Sequence, residues 1–362
     1  WMNLLQNIND LHINNPQKIL EYAQRLQEGL IDSELIKTDS DADLNFSEEI
    51  VISAYVNSFD TVYGGPKKSP KFPMPCNYEF LLNYGIIHND KQILDQVELT
   101  LTKMAYGGIF DQLAGGFARY SVDEIWKVPH FEKMLYDNGQ LISLYAKGYA
   151  HFKNPLFEKI VKHTIEFLNS ELLSPEKLYY SALDADSEGV EGKYYVWTEE
   201  ELKLLLNEEE FNFTKEYYSI NDYGYWEHNN FVLIRRDDEK FVANKIGIEE
   251  NKIEILKKQV NDKLIAVRSK RIKPSLDDKC LLAWNALTLK GLAEASVYLK
   301  SESILANAIK LHEAIYINFC SENVWYRNFK SGKRTILAFS EDLALLAEAN
   351  LVLYECSFNE SY

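Results

Sequence analysis

Carboxylates from separate loops, set beside a histidine, an arginine and aromatic rings, are the minimum equipment for acid–base work on a polar substrate. This chain offers them in segments that interrupt an otherwise helical pattern. The longest is GGIFDQLAGGFARYSVDEIWKVPHFEKMLYDN, residues 107–138. It carries four glycines among Asp111, Arg119, Tyr120, Asp123, Glu124, Trp126, His130, Glu132, Lys133 and Asp137. A connector that only reversed the chain would need a handful of residues. His130 and Asp137 are seven apart, so a helix through PHFEKMLYDN would put them on one face as an acid–base pair. The structural alternative is that both satisfy buried backbone groups and hold a long loop down.

SALDADSEGVEGKYYVW, residues 181–197, alternates Asp184, Asp186 and Glu188 ahead of Gly189 and Gly192. The run lacks the twelve-residue ligand order of an EF-hand, so calcium is the weaker reading. Acids at the mouth of a cleft beside Tyr194, Tyr195 and Trp197 would suit a sugar; a hairpin turn with solvated acids is the plain alternative. KPSLDDKCLLAWNAL, residues 273–287, places Asp277, Asp278 and Lys279 before a helix bearing Trp284 and Asn285. Helix capping explains the two acids, but a bulky ring and an amide inside a core helix need another reason. As one set, the catalytic candidates are His130, Asp184, Asp186 and Asp278. The binding candidates are Arg119, Tyr120, Trp126, Glu132, Lys133, Asp137, Glu188, Trp197, Asp277, Lys279, Trp284 and Asn285. No metal and no other cofactor is expected. YGGPKKSPKFPMP, residues 63–75, with Lys67, Lys68 and Lys71, reads as a rigid connector.

Helices must position these loops. NNPQKILEYAQRLQEGL opens at Pro16 and should stop at Gly29. FSEEIVISAYVNSF has Ser47 as N-cap and two glutamates in its first turn. DKQILDQVELTLTKMAYGG sets Ile93, Leu94, Val97, Leu101 and Met104 on one face. Further helices are expected over 138–152, 155–172, 249–269, 280–300, 302–319 and 341–355. Residues 178–236 turn β-rich around a short helix with a capping box at Thr198 and Glu201, and VWYRNF near 324 reads as a strand. Longer loops on alternate connections suit helical hairpins arranged as a solenoid or a ring.

The composition narrows the function. With 39 lysines and arginines against 55 acidic residues, the net charge of −16 argues against nucleic acid and anionic membrane as partners. No apolar run reaches transmembrane length. Cys76, Cys280, Cys320 and Cys356 are scattered without a C-x-x-C, as packed thiols in a reducing, cytoplasmic setting would be. The chain begins at Trp1, as a piece of a longer protein would.

The order GG…PKFP, GGI-DQL-GGF-RYSVD--W-VPHFEKMLYDN, SA-DADSEG-EGK-YVW and DDK-L-AWNAL resembles the thioredoxin-domain-containing DUF255 family, related to spermatogenesis-associated protein 20 and bacterial YyaL-like proteins. The match runs from about residue 45 to the end. The resemblance implies an all-α (α/α)6 six-hairpin toroid with a small β-rich insertion near residues 178–236, similar to six-hairpin glycosidases and N-acylglucosamine 2-epimerases. It implies a connecting segment over residues 1–45, following a thioredoxin-like domain that this chain lacks, and a barrel-like domain over 46–362. Six hairpins need a dozen helices and about ten are legible, so the barrel is expected to stop early and to self-associate through its open faces. Ala118 stands where the family often has His, and Ser275 and Leu276 where many members read His-Arg, which weakens any mechanism resting on those residues. The expected function is carbohydrate binding or glycoside hydrolysis. The alternatives are a non-catalytic scaffold for the thioredoxin-like domain and a sugar 2-epimerase.

Overall fold

The computed structural model describes residues 1–34 and 47–362, in two units, residues 1–54 and 55–362. The domain boundary expected at residues 45 and 46 lies outside the described residues. In the first unit, α1 (Met2–Asn14) and α2 (Pro16–Glu34) are almost wholly exposed. Helix α2 begins at Pro16 but runs through Gly29 instead of stopping there. An exposed helical glycine costs only about 1 kcal/mol, and nothing crowds or caps the chain at this point. Helix α3 (Glu48–Ser58) starts directly after Ser47 and carries Glu48 and Glu49 in its first turn.

The second unit takes in the end of α3 from Tyr55 and then the hairpin of α4 (Pro75–His88) and α5 (Lys91–Tyr106). The long loop follows, with the two-residue strands β1 (Tyr120–Ser121), β2 (Pro129–His130) and β3 (Lys133–Met134). A second hairpin joins α6 (Leu135–Phe152) to α7 (Pro155–Phe167), which ends in a π-helical turn over Leu168–Leu172. Residues read as β-rich supply β4 (Ala182–Leu183), β5 (Asp186–Ser187), β6 (Val190–Glu191), β7 (Trp197–Thr198) and β8 (Asn230–Phe231). These strands are only two residues long and are interleaved with α8 (Glu199–Leu205) and α9 (Glu208–Tyr217). Helices α10 (Glu239–Ile246) and α11 (Glu250–Arg268) complete the insertion, and β9 (Leu276–Asp277) and β10 (Cys280–Leu281) lead into α12 (Leu282–Tyr298). Helix α13 (Glu302–Phe319), the strands β11 (Cys320–Ser321), β12 (Val324–Lys330) and β13 (Lys333–Leu337), and α14 (Ser340–Ser357) close the chain.

Helix α6 packs on α4 and α12, and α12 on α14, forming one row; α5, α7 and α13 back it as the second helices of hairpins. The fold is therefore all-α, with α/α hairpins laid side by side in a toroid arrangement and small sheets at their connections. Three such hairpins, α4–α5, α6–α7 and α12–α13, and the further helix α14 are present among the described residues. The expected capping box at Thr198 is formed in full, and VWYRNF is the core of β12. Helices α1, α4, α9 and α10 were not legible; α4 spreads its apolar residues round its circumference and so shows no clear period. The insertion has its own core, where Trp197, Phe213, Tyr218, Phe231, Ile253 and Val260 pack together and reach Leu113 in the long loop.

Charge ties the row together: Lys147 on α6 bridges Glu79 on α4 (2.5 Å) and Glu294 on α12 (2.9 Å), and Lys290 on α12 reaches Glu348 on α14 (2.8 Å). The α6–α12 crossing is close because Gly291 lies against the backbone of Gly139. A methyl at Gly291 would sit 2.2 Å from the Gly139 carbonyl oxygen. Gly291→Ala is expected to lose about 1–3 kcal/mol of stability in urea titration, as overpacking outweighs the gain in helix propensity. A stabilised variant would mean that the two helices separate freely.

Candidate functional site

The polar residues of the long loop divide into two groups. One group is structural. The buried Asp111 carboxylate pairs with Lys133 (3.0 Å) and Arg268 (2.9 Å) and accepts the backbone N–H groups of Leu113 and Ala114. Burial pushes its carboxyl up, but the Arg268 and Lys133 charges outweigh that and hold it well below the usual range. Lys133, lowered by burial, also donates to the Gly115 carbonyl and lies over the Phe167 and Tyr195 rings. Small cavities, of about 30 and 100 Å³, flank this cluster. Asp123 accepts the N–H groups of Ile125, Lys127 and Val128, which holds Trp126 at a positive φ of 62°. Gly115 and Gly116 are required: each has positive φ, and a Cβ there would sit 2.3 Å from the His163 carbonyl oxygen or 2.4 Å from the Phe167 ring.

Two asparagines repeat one device. Asn138 accepts the Phe117 N–H and donates to the Phe117 and Met134 carbonyls; Asn285 does the same for Tyr179 and Leu281. Each sits fully buried in the first turn of a row helix and stitches the incoming loop to it. Three motif segments meet nearby in one antiparallel sheet, where β4 pairs with both β3 and β9.

The second group gathers around the N-terminus of α6. Here PHFEKM is extended rather than helical, because Pro129–His130 pairs with Tyr120–Ser121 and Lys133–Met134 pairs with β4. His130 and Asp137 therefore do not share a helix face. His130 stacks on Tyr120 (5.0 Å) and lies 2.7 Å from Glu191 and 3.7 Å from Glu132. Glu132 in turn pairs with Arg119 at 3.3 Å. Tyr136 meets Trp284 edge-on at 4.9 Å, across the α6–α12 boundary. Beside them Asp137 is 7 % exposed, and its Oδ2 and the Arg119 Nε are buried without a hydrogen-bond partner. Burial pushes the Asp137 carboxyl up to about 7. The Arg119 charge opposes the rise and the Glu132 charge adds to it.

Arg119, Tyr120, His130, Glu132, Asp137 and Trp284 are thus brought into one region. Other candidates are placed elsewhere. Trp126 and Trp197 are fully buried and present no ring to a ligand; the Trp126 Nε1 donates to the Tyr63 carbonyl, and the Arg271 guanidinium covers Trp197. Lys133 and Asn285 are likewise buried and spent on internal partners. Asp184, Asp186 and Glu188 are exposed on and beside the β5–β6 hairpin, where Asp184 accepts its neighbour Ala185's N–H and Glu188 pairs with Lys193. Asp278 pairs with Lys330 on β12, which lowers its carboxyl, and Asp277 pairs with Lys279. Among the described residues, no contact joins Asp186 to Asp278 as an acid pair. Glu191 and Tyr136 were missed; a strand pairing that turns Glu191 back towards His130 leaves no periodic signal. In the connector over residues 63–75, Lys71 is fully buried and pairs with Asp60 at 2.7 Å. All four cysteines are free, and Cys76 is exposed rather than packed. No helix among the described residues is long and apolar enough to cross a membrane.

No family model matches the chain. It is similar to human spermatogenesis-associated protein 20, with 32% identity over 83% of this chain and 43% of the relative. The rat protein of the same name is 30% identical over 99% of this chain and 51% of the relative. The chain spans about half the length of the curated relatives it matches. Among solved structures, it is similar to a family 76 glycoside hydrolase from a bovine Bacteroides thetaiotaomicron strain, with TM-score 0.45 and 13% identity, covering 79% of this chain and 43% of that one. A sugar epimerase from a ruminal bacterium gives TM-score 0.34 and 14% identity over 83% and 96% of the two chains. Likeness at this level reaches neither a site nor a reaction.

Proposed function

We propose that this chain is the helical-hairpin part of a spermatogenesis-associated protein 20-like protein and that the region around Asp137 is a carbohydrate-binding site with acid–base capacity. The observation that carries the reading is Asp137 itself: a nine-tenths buried carboxyl with an unpartnered oxygen, half-protonated near neutral pH, beside Arg119 and Glu132. Two carboxyls whose surroundings treat them so differently are suited to separate roles. Asp137 supplies the proton as general acid, and Glu132, half-exposed and paired with Arg119, offers a carboxylate. Tyr120, Tyr136 and Trp284 supply half-exposed rings on which a sugar can stack. This replaces Asp184, Asp186 and Asp278 as the acids of choice. A 2-epimerase would move its proton through histidine, and His130 is the histidine available here, engaged by two glutamates.

A scaffold role is the second reading, and a specific observation favours it: Asp111, Lys133, Arg268, Asn138 and Asn285 saturate one another or the backbone. Thermal-shift measurement with monosaccharides, uronic acids and short oligosaccharides separates the two. A ligand at about a hundred times its dissociation constant adds roughly 2.7 kcal/mol. The expected result is a shift lost in Arg119→Met and Trp284→Ala but kept in Asp186→Asn. A panel without any shift, or a shift indifferent to Arg119 and Trp284, sinks the carbohydrate reading and leaves the scaffold.

A further inference from the structure

On the far side of the β5–β6 hairpin lies a cleft of about 520 Å³, within the roughly 300–1,000 Å³ range of small-molecule sites. Its walls come from the hairpin, from the tight turn at Glu227–Asn230 and from the chain after α11. Two links connect it to the Asp137 region. Glu191 lines the cleft while its carboxylate holds His130 at 2.7 Å, and Trp226, on the cleft wall, packs on Phe131 at 5.5 Å. The charges of the cleft are largely cancelled within it: Glu188 pairs with Lys193, and Glu201 with Arg271, whose guanidinium also donates to the Tyr194 and Val196 carbonyls. What remains for a ligand is the half-exposed Trp226 and Tyr194 rings with exposed Glu227, His228 and Lys270 at the rim.

We propose that this cleft is an outer subsite for the further residues of a linear, uncharged oligosaccharide whose end unit occupies the Asp137 region. Internal cancellation of charge disfavours a strongly ionic ligand, because an anion or cation would have to break an existing pair. Aromatic faces flanked by mixed hydrogen-bonding groups are what a neutral polyol requires: stacking for its C–H face and donors and acceptors for its hydroxyls. The tight turn is exposed and closed on itself, with His228 and Asn229 both at positive φ (50° and 62°) and the Trp226 N–H donated to the Asn230 carbonyl. A turn closed by its own backbone bonds has less to order on binding than an open loop.

The inference rests on the carbohydrate reading of the Asp137 region, and one titration tells their failures apart. Glucose, mannose and their β-1,4-linked oligomers of two to five units are titrated calorimetrically against the protein and its variants. Affinity is expected to rise at least tenfold from monomer to tetramer. Trp226→Ala should return the oligomer to the monomer's affinity and leave monomer binding unchanged. Because Trp226 packs on Phe131, the exposed Glu227→Ala and Lys270→Ala serve as variants that keep the fold, and each should reduce only the oligomer's gain. Equal affinity at every length, or a length dependence untouched by all three variants, overturns the outer subsite while leaving the carbohydrate reading intact. Absence of binding at every length overturns the outer subsite, and the carbohydrate reading falls with it where the thermal-shift panel of other sugars and uronic acids is also without a shift.

Discussion

Asp137→Asn should make the protein more stable at pH 8 and change it little at pH 5. The Asp137 carboxyl stands at about 7 in the folded protein against an ordinary value of 3.8. Between those two values the folded state holds a proton that the unfolded chain has released. Stability therefore falls as pH rises through that window and stays low above it. A separation of roughly 3 units corresponds to about 4 kcal/mol at full deprotonation. The amide resembles the neutral acid in shape and carries no charge to desolvate, so it escapes this cost at any pH. Part of the gain will be lost because the amide nitrogen also needs an acceptor in a pocket that leaves Oδ2 without a partner. A stabilisation of about 2–4 kcal/mol at pH 8, smaller by roughly 2.5 kcal/mol at pH 5, is the expected pair of urea-denaturation results. Equal effects at the two pH values would show that Asp137 is not held protonated by burial. Any acid-catalysed turnover should vanish in the same variant, so stability and activity should move in opposite directions.

The outline of the molecule was legible where local rules decide. Ile93, Val97, Leu101 and Met104 recur at helical spacing, and all four are fully buried on α5. Thr198 and Glu201 close their capping box because a T-x-x-E before an apolar run needs nothing distant. Long-range contacts decide the site, and there residue type misled. Trp126 and Trp197 have the chemistry of sugar platforms but are core, one turned inward by the Asp123 loop and the other covered by Arg271. The DADSE acids alternate as ligands would, yet alternate because they lie along a solvated hairpin. Asp137 was visible as a carboxylate in a rich motif. Its burial depends on neighbours that approach through tertiary packing, among them Arg119 from the loop. PHFEKM has helical periodicity, but pairing with β1 and β4 draws it into strands, and that pairing sets Glu132 next to Arg119.

Removing the Asp111 charge should be among the most damaging single changes to the fold. One carboxylate there balances two cations, Lys133 and Arg268, that are almost completely buried. Asp111→Asn keeps the volume and deletes the balance, leaving two positive charges facing each other across an amide. Breaking a buried pair from one side costs about 3–5 kcal/mol, although the amide oxygen of the variant can still accept the Leu113 and Ala114 N–H groups. Lys133→Met should cost less, because Asp111 and Arg268 remain as a matched pair and the aromatic faces of Phe167 and Tyr195 still cover an apolar chain. The double variant Asp111→Asn/Lys133→Met should then be more stable than Asp111→Asn alone, a coupling that additive losses cannot produce. The single Asp111→Asn protein should also recover part of its deficit as pH rises. With its partner gone, Lys133 loses its proton more readily in the folded state than in the unfolded chain, so stability climbs with pH. A double variant as unstable as the sum of its parts would show that the Asp111 charge and Lys133 are not coupled. Because β3 carries Lys133 beside Glu132 and runs directly into the helix bearing Asp137, loosening this anchor should also weaken ligand binding at the Asp137 region without touching any residue that faces it.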